Sequence, residues 1–252
     1  MFGKALLLLI SWLILLSPAL AGEKKIILGS LEWPPYVSAD LPGGGASSEV
    51  VRAAFKAMGY DLEIRFYPWA RTVHEAMTNQ ELAGFFPEYY SEQRKEYFLF
   101  SDSIGKSPVG IVSERKNQIR WNALSDLKQY SIGVVRGYIN TSEFDLAVAR
   151  GELNAIEAVS DVINIRKVLA GRVDMAVVDT NTFSYFKDRD ELIRMGREKL
   201  SMNPQLLGVN ELFVCFRNDR NGEKFLRLFN EGLCRIYPGR IHREYMKKYD
   251  KE

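Results

Sequence analysis

Short apolar runs alternate with amphipathic stretches of helical period, and the alternation passes through the chain twice. Lys25-Ile26-Ile27-Leu28-Gly29, the alternating Leu62, Ile64 and Phe66, and Leu82 to Phe86 read as three strands. Between them the spacing predicts helices. One is capped by Ser47 or Ser48, carries Val50, Val51, Ala54, Phe55 and Met58 on its apolar face and ends at Gly59; the next opens at Pro68-Trp69-Ala70-Arg71. Val109 to Val112 is a further apolar run, and the charged stretch 113–117 behind it reads as a crossing. The rhythm then restarts with strands over Tyr130–Val135, Ala155–Val159 and Val173–Asp179, and with helices capped near Thr141 or Ser142 and at Asp161. Leu212 to Phe216 returns as a strand before helices over 223–236 and 241–248. Strands and helices alternating at this pitch require βαβ units and mostly parallel sheets. The predicted class is α/β in two lobes, each a mainly parallel sheet flanked by helices. Residues 22–112 with 209–252 form lobe 1 and residues 113–208 lobe 2, with hinge crossings near 112–115 and 209–213. A cleft between hinged lobes is a preferred ligand site.

Residues 1–21 stand outside this pattern. Lys4 precedes an apolar run from Ala5 to Leu16, and Ala19-Leu20-Ala21 has the small-x-small spacing of a signal-peptidase site. The run is shorter than a membrane span needs and is broken by Ser11 and Ser17-Pro18, and no cysteine near the cleavage site offers a lipid attachment point. The expectation is a cleaved leader and a freely diffusing protein of the bacterial periplasm. Cleavage removes Lys4 and no acidic residue, lowering the formal charge of +2 by one. So balanced a chain has no electrostatic footprint for nucleic acid or an anionic membrane. Cys215 and Cys234 are the two cysteines, free to pair in an oxidising compartment or to serve as small core residues. His74 and His242 lack cysteine or histidine neighbours, so neither a metal nor a cofactor is expected.

Ligand chemistry concentrates in Gly84-Phe85-Phe86-Pro87-Glu88-Tyr89-Tyr90-Ser91-Glu92-Gln93-Arg94. A buried strand is expected to break at Pro87, which has no N–H for a central ladder, and Ser91 is placed to cap a helical turn carrying Arg94. Open α/β sheets bind ligands beyond the carboxyl ends of their strands. The free amides of that turn and the Arg94 guanidinium both favour an anion, most simply a carboxylate, although Arg94 beside Lys95 and Glu96 also fits a solvated surface arginine. Earlier in the chain, Trp33-Pro34-Pro35-Tyr36 forms an extended turn that sets where two aromatic rings point. Gly43-Gly44-Gly45 lacks the Lys-Ser/Thr of a phosphate loop and reads as a plain flexible turn.

Four stretches in order carry a family resemblance: Trp33-Pro34-Pro35-Tyr36; Ser91-Glu92-Gln93-Arg94 with Phe100-Ser101-Asp102; Ile132-Gly133-Val134-Val135-Arg136-Gly137; and Leu169-Ala170-Gly171-Arg172-Val173-Asp174-Met175-Ala176-Val177-Val178-Asp179. With them the chain, from Lys25 to Tyr249, resembles the bacterial extracellular solute-binding proteins of family 3, the periplasmic polar amino-acid binding proteins of ABC importers. The resemblance implies a type II periplasmic-binding-protein fold, a monomer that closes on a small amino acid or related carboxylate and then docks on an inner-membrane permease. It places Trp33 as the aromatic stacked on the ligand, Arg94 as the grip on the α-carboxylate and Asp179 as the acceptor of the α-ammonium. The Gly137-Tyr138-Ile139 turn then closes over the carboxylate. Tyr36, Trp69, Phe86, Tyr89 and Tyr138 complete the expected aromatic cleft.

The chain departs from the family pattern at Ser30, where an ammonium-binding Asp is usual, at Phe86, Pro87 and Tyr89 on the carboxylate side, and at Tyr138 and Ile139. Glu32 or Glu88 offers a replacement carboxylate or is a solvated loop acid, and Phe86 also fits a packed core position. The chain also resembles periplasmic cyclohexadienyl dehydratases on the same scaffold. An enzyme would need Glu32, Glu88 or Asp179 as a tuned acid or base, but the sequence holds no nucleophile–base pair or metal set, which favours binding without chemistry. As a cleft residue that meets water in the open state, Arg94 is expected to contribute little to unliganded stability. Intact-mass measurement on a periplasmic extract is expected to find a chain beginning at Gly22; uncleaved protein in the membrane fraction would refute export as a soluble protein.

Overall fold

The computed structural model describes residues 24–117 and 119–248, so the leader and its cleavage site lie outside the described residues. The chain runs β1 (Lys24–Ser30), α1 (Ala46–Lys56), β2 (Tyr60–Phe66), α2 (Trp69–Thr78), β3 (Gly84–Glu88), α3 (Glu92–Lys95), β4 (Phe98–Phe100) and β5 (Gly105–Glu114). It continues through β6 (Ser131–Val135), α4 (Ser142–Ala149), β7 (Asn154–Ala158), α5 (Asp161–Leu169), β8 (Met175–Asp179), α6 (Thr180–Arg189) and α7 (Glu191–Gly196). It ends with β9 (Leu200–Met202), β10 (Gly208–Arg217), α8 (Arg220–Cys234) and α9 (Pro238–Met246).

The strands form one path in the order β2-β1-β3-β10-β5-β8-β6-β7, with β4 added on β10 and β9 on β5. The β2-β1-β3 and β8-β6-β7 blocks are parallel, as the alternation predicts. Between them, β10 and β5 pair antiparallel over Gly208–Leu212 and Gly105–Val109 and connect the two halves. One apolar cluster collects Ile26, Leu28, Phe55, Phe85, Phe98, Ile104, Val214, Phe216 and Phe229. Two others, around Ile111, Ile132, Phe144 and Met175 and around Val112, Ile165, Val178 and Ile193, fill the second half. The architecture is that of two α/β lobes joined by two hinge crossings. The crossings are these paired strands, with Val109 and Val112 already packed in second-lobe clusters.

Local details differ from the sequence expectation. β3 does not break at Pro87 but continues to Glu88. Its partner β10 shifts register between Phe213, opposite Glu88, and Cys215, opposite Phe85. This irregularity lies opposite the prolyl residue and absorbs the missing donor. Ser47 and Ser48 are buried inside α1, whose cap position is Gly45. Ser160 holds the cap position of α5, and Asp161 is its first residue. Cys215 is buried, Cys234 is exposed, and both are free thiols.

β3 and β10 approach closely because Gly84 has no side chain: a Cβ there would lie 2.1 Å from the carbonyl oxygen of Cys215. Gly84→Ala therefore forces apart the strand pair that ends at Glu88. Overpacking of this kind costs about 1–3 kcal/mol, which in a chain of this size lowers the melting temperature by roughly 3–10 °C. Thermal melting by circular dichroism measures it; an unchanged midpoint would show slack between the two strands.

Candidate functional site

The parallel strands of both halves direct their carboxyl ends at the same space. After β1, the cis Pro34–Pro35 bond sits in a tight turn closed by hydrogen bonds from the Tyr36 and Val37 amides to the Trp33 carbonyl. That turn stacks the Trp33 and Tyr36 rings with centroids 4.3 Å apart. After β6, Gly137 adopts φ +78°, a conformation that favours glycine, and presents its carbonyl to the first lobe. Trp69 Nε1 donates to that oxygen at 3.1 Å and Arg94 Nη2 at 3.2 Å. The lobes meet around a chamber of about 30 Å³ lined by Leu31, Trp33, Trp69, Pro87, Glu88 and Tyr89 from one side and Tyr138 and Ile139 from the other. That volume admits water but lies far below the ~300 Å³ at which ligand pockets begin. Leu31, Trp69 and Tyr138 also line an outer cavity of about 350 Å³ that includes Glu32 and Ser160.

Arg94 is placed as the sequence expects, on a turn whose cap, Ser91, accepts from its amide at 3.4 Å. Two nitrogens of its fork are already engaged. Nε donates at 2.7 Å to Oε2 of Glu88, a residue only 3% exposed. Glu88 Oε1 accepts the Tyr89 amide at 3.1 Å. Burial raises the Glu88 carboxyl to about 7, against the opposing pull of Arg94. An internal carboxylate thus occupies the guanidinium that the resemblance assigned to a ligand.

Asp179 is likewise engaged. Its Oδ1 accepts the Asn181 and Thr182 amides, both at 2.8 Å, as the cap of α6. Its Oδ2 accepts Tyr36 OH at 2.8 Å and Ser107 Oγ at 2.6 Å. With the Ser107 proton directed to Asp179, Tyr89 is the donor in its 2.5 Å contact with Ser107. Burial raises Asp179 to about 6, while these four donors hold it down. Tyr36 is fully buried and, with Asn181 donating to its hydroxyl at 2.7 Å, forms a strut between the lobes behind the chamber.

Of the residues singled out in the sequence, Trp33, Trp69, Tyr89 and Tyr138 share the chamber wall. Gly137 acts through its carbonyl. Phe86 has no exposed surface and, like its neighbour Phe85, packs in the first-lobe core. Sequence reasoning missed Ser107 and Asn181, which carry no local motif. It also took Asp161 only as a helix cap. Asp161 is 4% exposed, accepts the Tyr138 hydroxyl at 3.2 Å and is raised to about 7 by burial, with the Asp179 charge acting in the same direction. An acid just beyond a parallel strand was the available signal. The described residues contain no cluster of metal-ligating side chains.

No family model and no curated protein matches the chain. Solved structures do match. A histidine kinase sensor domain with similarity to periplasmic binding proteins superposes with a TM-score of 0.74 at 21% identity, covering 90% of this chain and 96% of that one. An ancestral arginine-binding protein bound to arginine gives 0.72 at 17% identity, covering 89% and 97%. The GluR0 ligand-binding core from Nostoc punctiforme in complex with L-glutamate gives 0.72 at 15% identity, covering 90% and 100%. The chain has the periplasmic-binding-protein fold.

The ion pair changes the expectation for Arg94. Removing one partner of a buried pair costs about 3–5 kcal/mol, because the other charge is left uncompensated. Glu88, Asp161 and Asp179 all titrate above the ordinary carboxyl range, so the folded state binds protons that the unfolded chain releases. Their contribution is full below about pH 4 and is lost as pH rises through 6 to 7. Urea denaturation is therefore expected to find the wild type more stable at pH 5.5 than at pH 8. Arg94→Ala is expected to lose about 3 kcal/mol or more at pH 8 and less at pH 5.5, where Glu88 is protonated. Equal losses at the two pH values would show that Glu88 does not depend on Arg94.

Proposed function

We propose that this protein is an exported binding protein that captures a small polar molecule between its lobes and releases it by hinge opening, serving an ABC importer of the inner membrane. The observation that carries this reading is the arrangement of the closing contacts. Trp69 and Arg94 reach the Gly137 carbonyl, Tyr36 reaches Asp179, and an aromatic chamber lies between these latches. A ligand that widens this chamber as it enters touches both lobes only when they close over it, so its binding energy favours a closed state somewhat wider than the present one. The sensor domain among the similar structures belongs to a kinase; the leader and the cleft support capture, and delivery to an importer rests on the resemblance to the family 3 binding proteins. A catalytic reading has one observation in its favour, the Glu88 carboxyl held near 7 at the chamber wall, a suitable general acid. It lacks a second ionisable group among the lining residues other than tyrosine hydroxyls, and binding accounts for the closing contacts without it.

Small-angle scattering of the mature protein, alone and with a saturating compound selected by thermal shift, is expected to show a smaller radius of gyration in the bound form. An unchanged profile at saturation would leave a static scaffold in place of a hinged trap.

A further inference from the structure

We propose that the ligand is an organic cation without a carboxylate, a small amine over which the lobes close less tightly than in this structure, held against the aromatic walls of a chamber widened by its entry and balanced by Glu88 and Asp161. The proposal rests on the reading of the cleft as a binding site and names the chemistry of its occupant.

The charge inventory points this way first. Glu88, Asp161 and Asp179 are buried at 3%, 4% and 3% exposure: Glu88 lines the chamber and pairs with Arg94, Asp161 is bonded to the hydroxyl of the lining residue Tyr138, and Asp179 to that of Tyr36. Nε and Nη2 of Arg94 are engaged by Glu88 and by the Gly137 carbonyl, so its charge is already met by an internal carboxylate and a ligand carboxylate would have to share it. Glu88 lines the chamber and Glu32 the outer cavity, and neither lining contains a lysine, arginine or histidine. A carboxylate entering here meets like charge and no counter-charge beyond the Arg94 that Glu88 already holds, whereas an ammonium meets buried carboxyls that outnumber that one cation. Asp179 accepts from four donors, while Asp161 accepts the Tyr138 hydroxyl and its own amide and retains acceptor capacity.

The walls point the same way. Trp33, Trp69, Tyr89 and Tyr138 present aromatic surface to the chamber, and the electron-rich face of such rings attracts cations most strongly where water is excluded. A separate observation marks a missing occupant: Trp33 is 5% exposed, and its Nε1 is buried without a hydrogen-bond partner. A buried donor of this kind is rare unless something completes it. It favours an occupant that carries a hydrogen-bond acceptor, and among amines those with a hydroxyl.

Matched pairs differing only by the carboxylate test the proposal on the mature wild-type protein by calorimetric titration: tyramine against tyrosine, ethanolamine against serine, and cadaverine against lysine. In at least one pair the amine is expected to bind ten times more tightly than the amino acid, or better, with the hydroxyl-bearing amines ahead of cadaverine. Glu88→Gln and Asp161→Asn, checked for folding by their melts, are each expected to weaken that amine by about tenfold, the loss of one charge partner. Lowering the pH from 8 to 5.5 is also expected to weaken it about tenfold, as Glu88 and Asp161 protonate near 7. The other groups facing the site do not reverse that sign. Asp179 titrates near 6, burial raises the Tyr89 and Tyr138 hydroxyls well above their usual range, and Arg71 stacks outside on Tyr67 while paired with Glu75. An amino acid that binds more tightly than its amine, with a decrease in radius of gyration, overturns the cation proposal and leaves the binding-protein reading standing. Amine binding that is unchanged in both variants also overturns it. If no compound of any pair shifts melting, titration or scattering, the proposal fails; the binding reading falls with it only if a wider compound screen is equally silent.

Discussion

A carboxylate 3% exposed in an apolar setting is the constraint on which this cleft depends. Glu88 ends β3 at the boundary between the lobes, where water cannot solvate it, and Arg94 is the group that makes its charged form tolerable. The guanidinium bridges further, to the Gly137 carbonyl across the cleft, so the partner of a buried acid is also a latch. A change at either residue therefore alters both the stability of the first lobe and the approach of the second.

Asp179 repeats this economy on the opposite side. One oxygen terminates α6 and the other receives Tyr36 and Ser107, so a helix cap doubles as the seat of an interlobe strut. The hydrogen bonds that hold the lobes together use groups already required for local structure. The chamber between the latches is consequently small, aromatic and acidic, a character set by what the protein's own polar groups have already consumed. Family resemblance assigns roles to residue types at positions. The structure shows those same types at those positions bonded to one another.

Tyr36 and Phe86 show how burial decides roles. Both were expected to line a ligand, and both are wholly buried. Tyr36 became a strut because the Trp33–Pro35 turn stacks it under Trp33 and aims its hydroxyl at Asp179. Phe86 became core because the first-lobe apolar cluster closes over it, as it does over Phe85. Trp33, Trp69, Tyr89 and Tyr138, one residue or one loop away, became the wall.

The sequence by itself determined the α/β rhythm, the parallel blocks, the two-lobed architecture and the turn that carries Arg94, because each follows from hydrophobic period and local capping within a short window. Strand limits were legible to within a few residues, with β3 the instructive exception: the irregular pairing that lets a proline remain in the strand belongs to β10, more than a hundred residues away. Site composition was partly legible, since aromatic and charged residues at strand ends converge in any open α/β fold. Their partners were not. That Glu88 pairs with Arg94, that Ser107 and Tyr36 satisfy Asp179, and that Asp161 lies beside Tyr138 are contacts between side chains on different elements, and the Tyr36–Asp179 bond joins the two lobes. Only tertiary structure decided them, because the desolvation that raises these carboxyls and the donors that stabilise them exist once the lobes have excluded water from the space between.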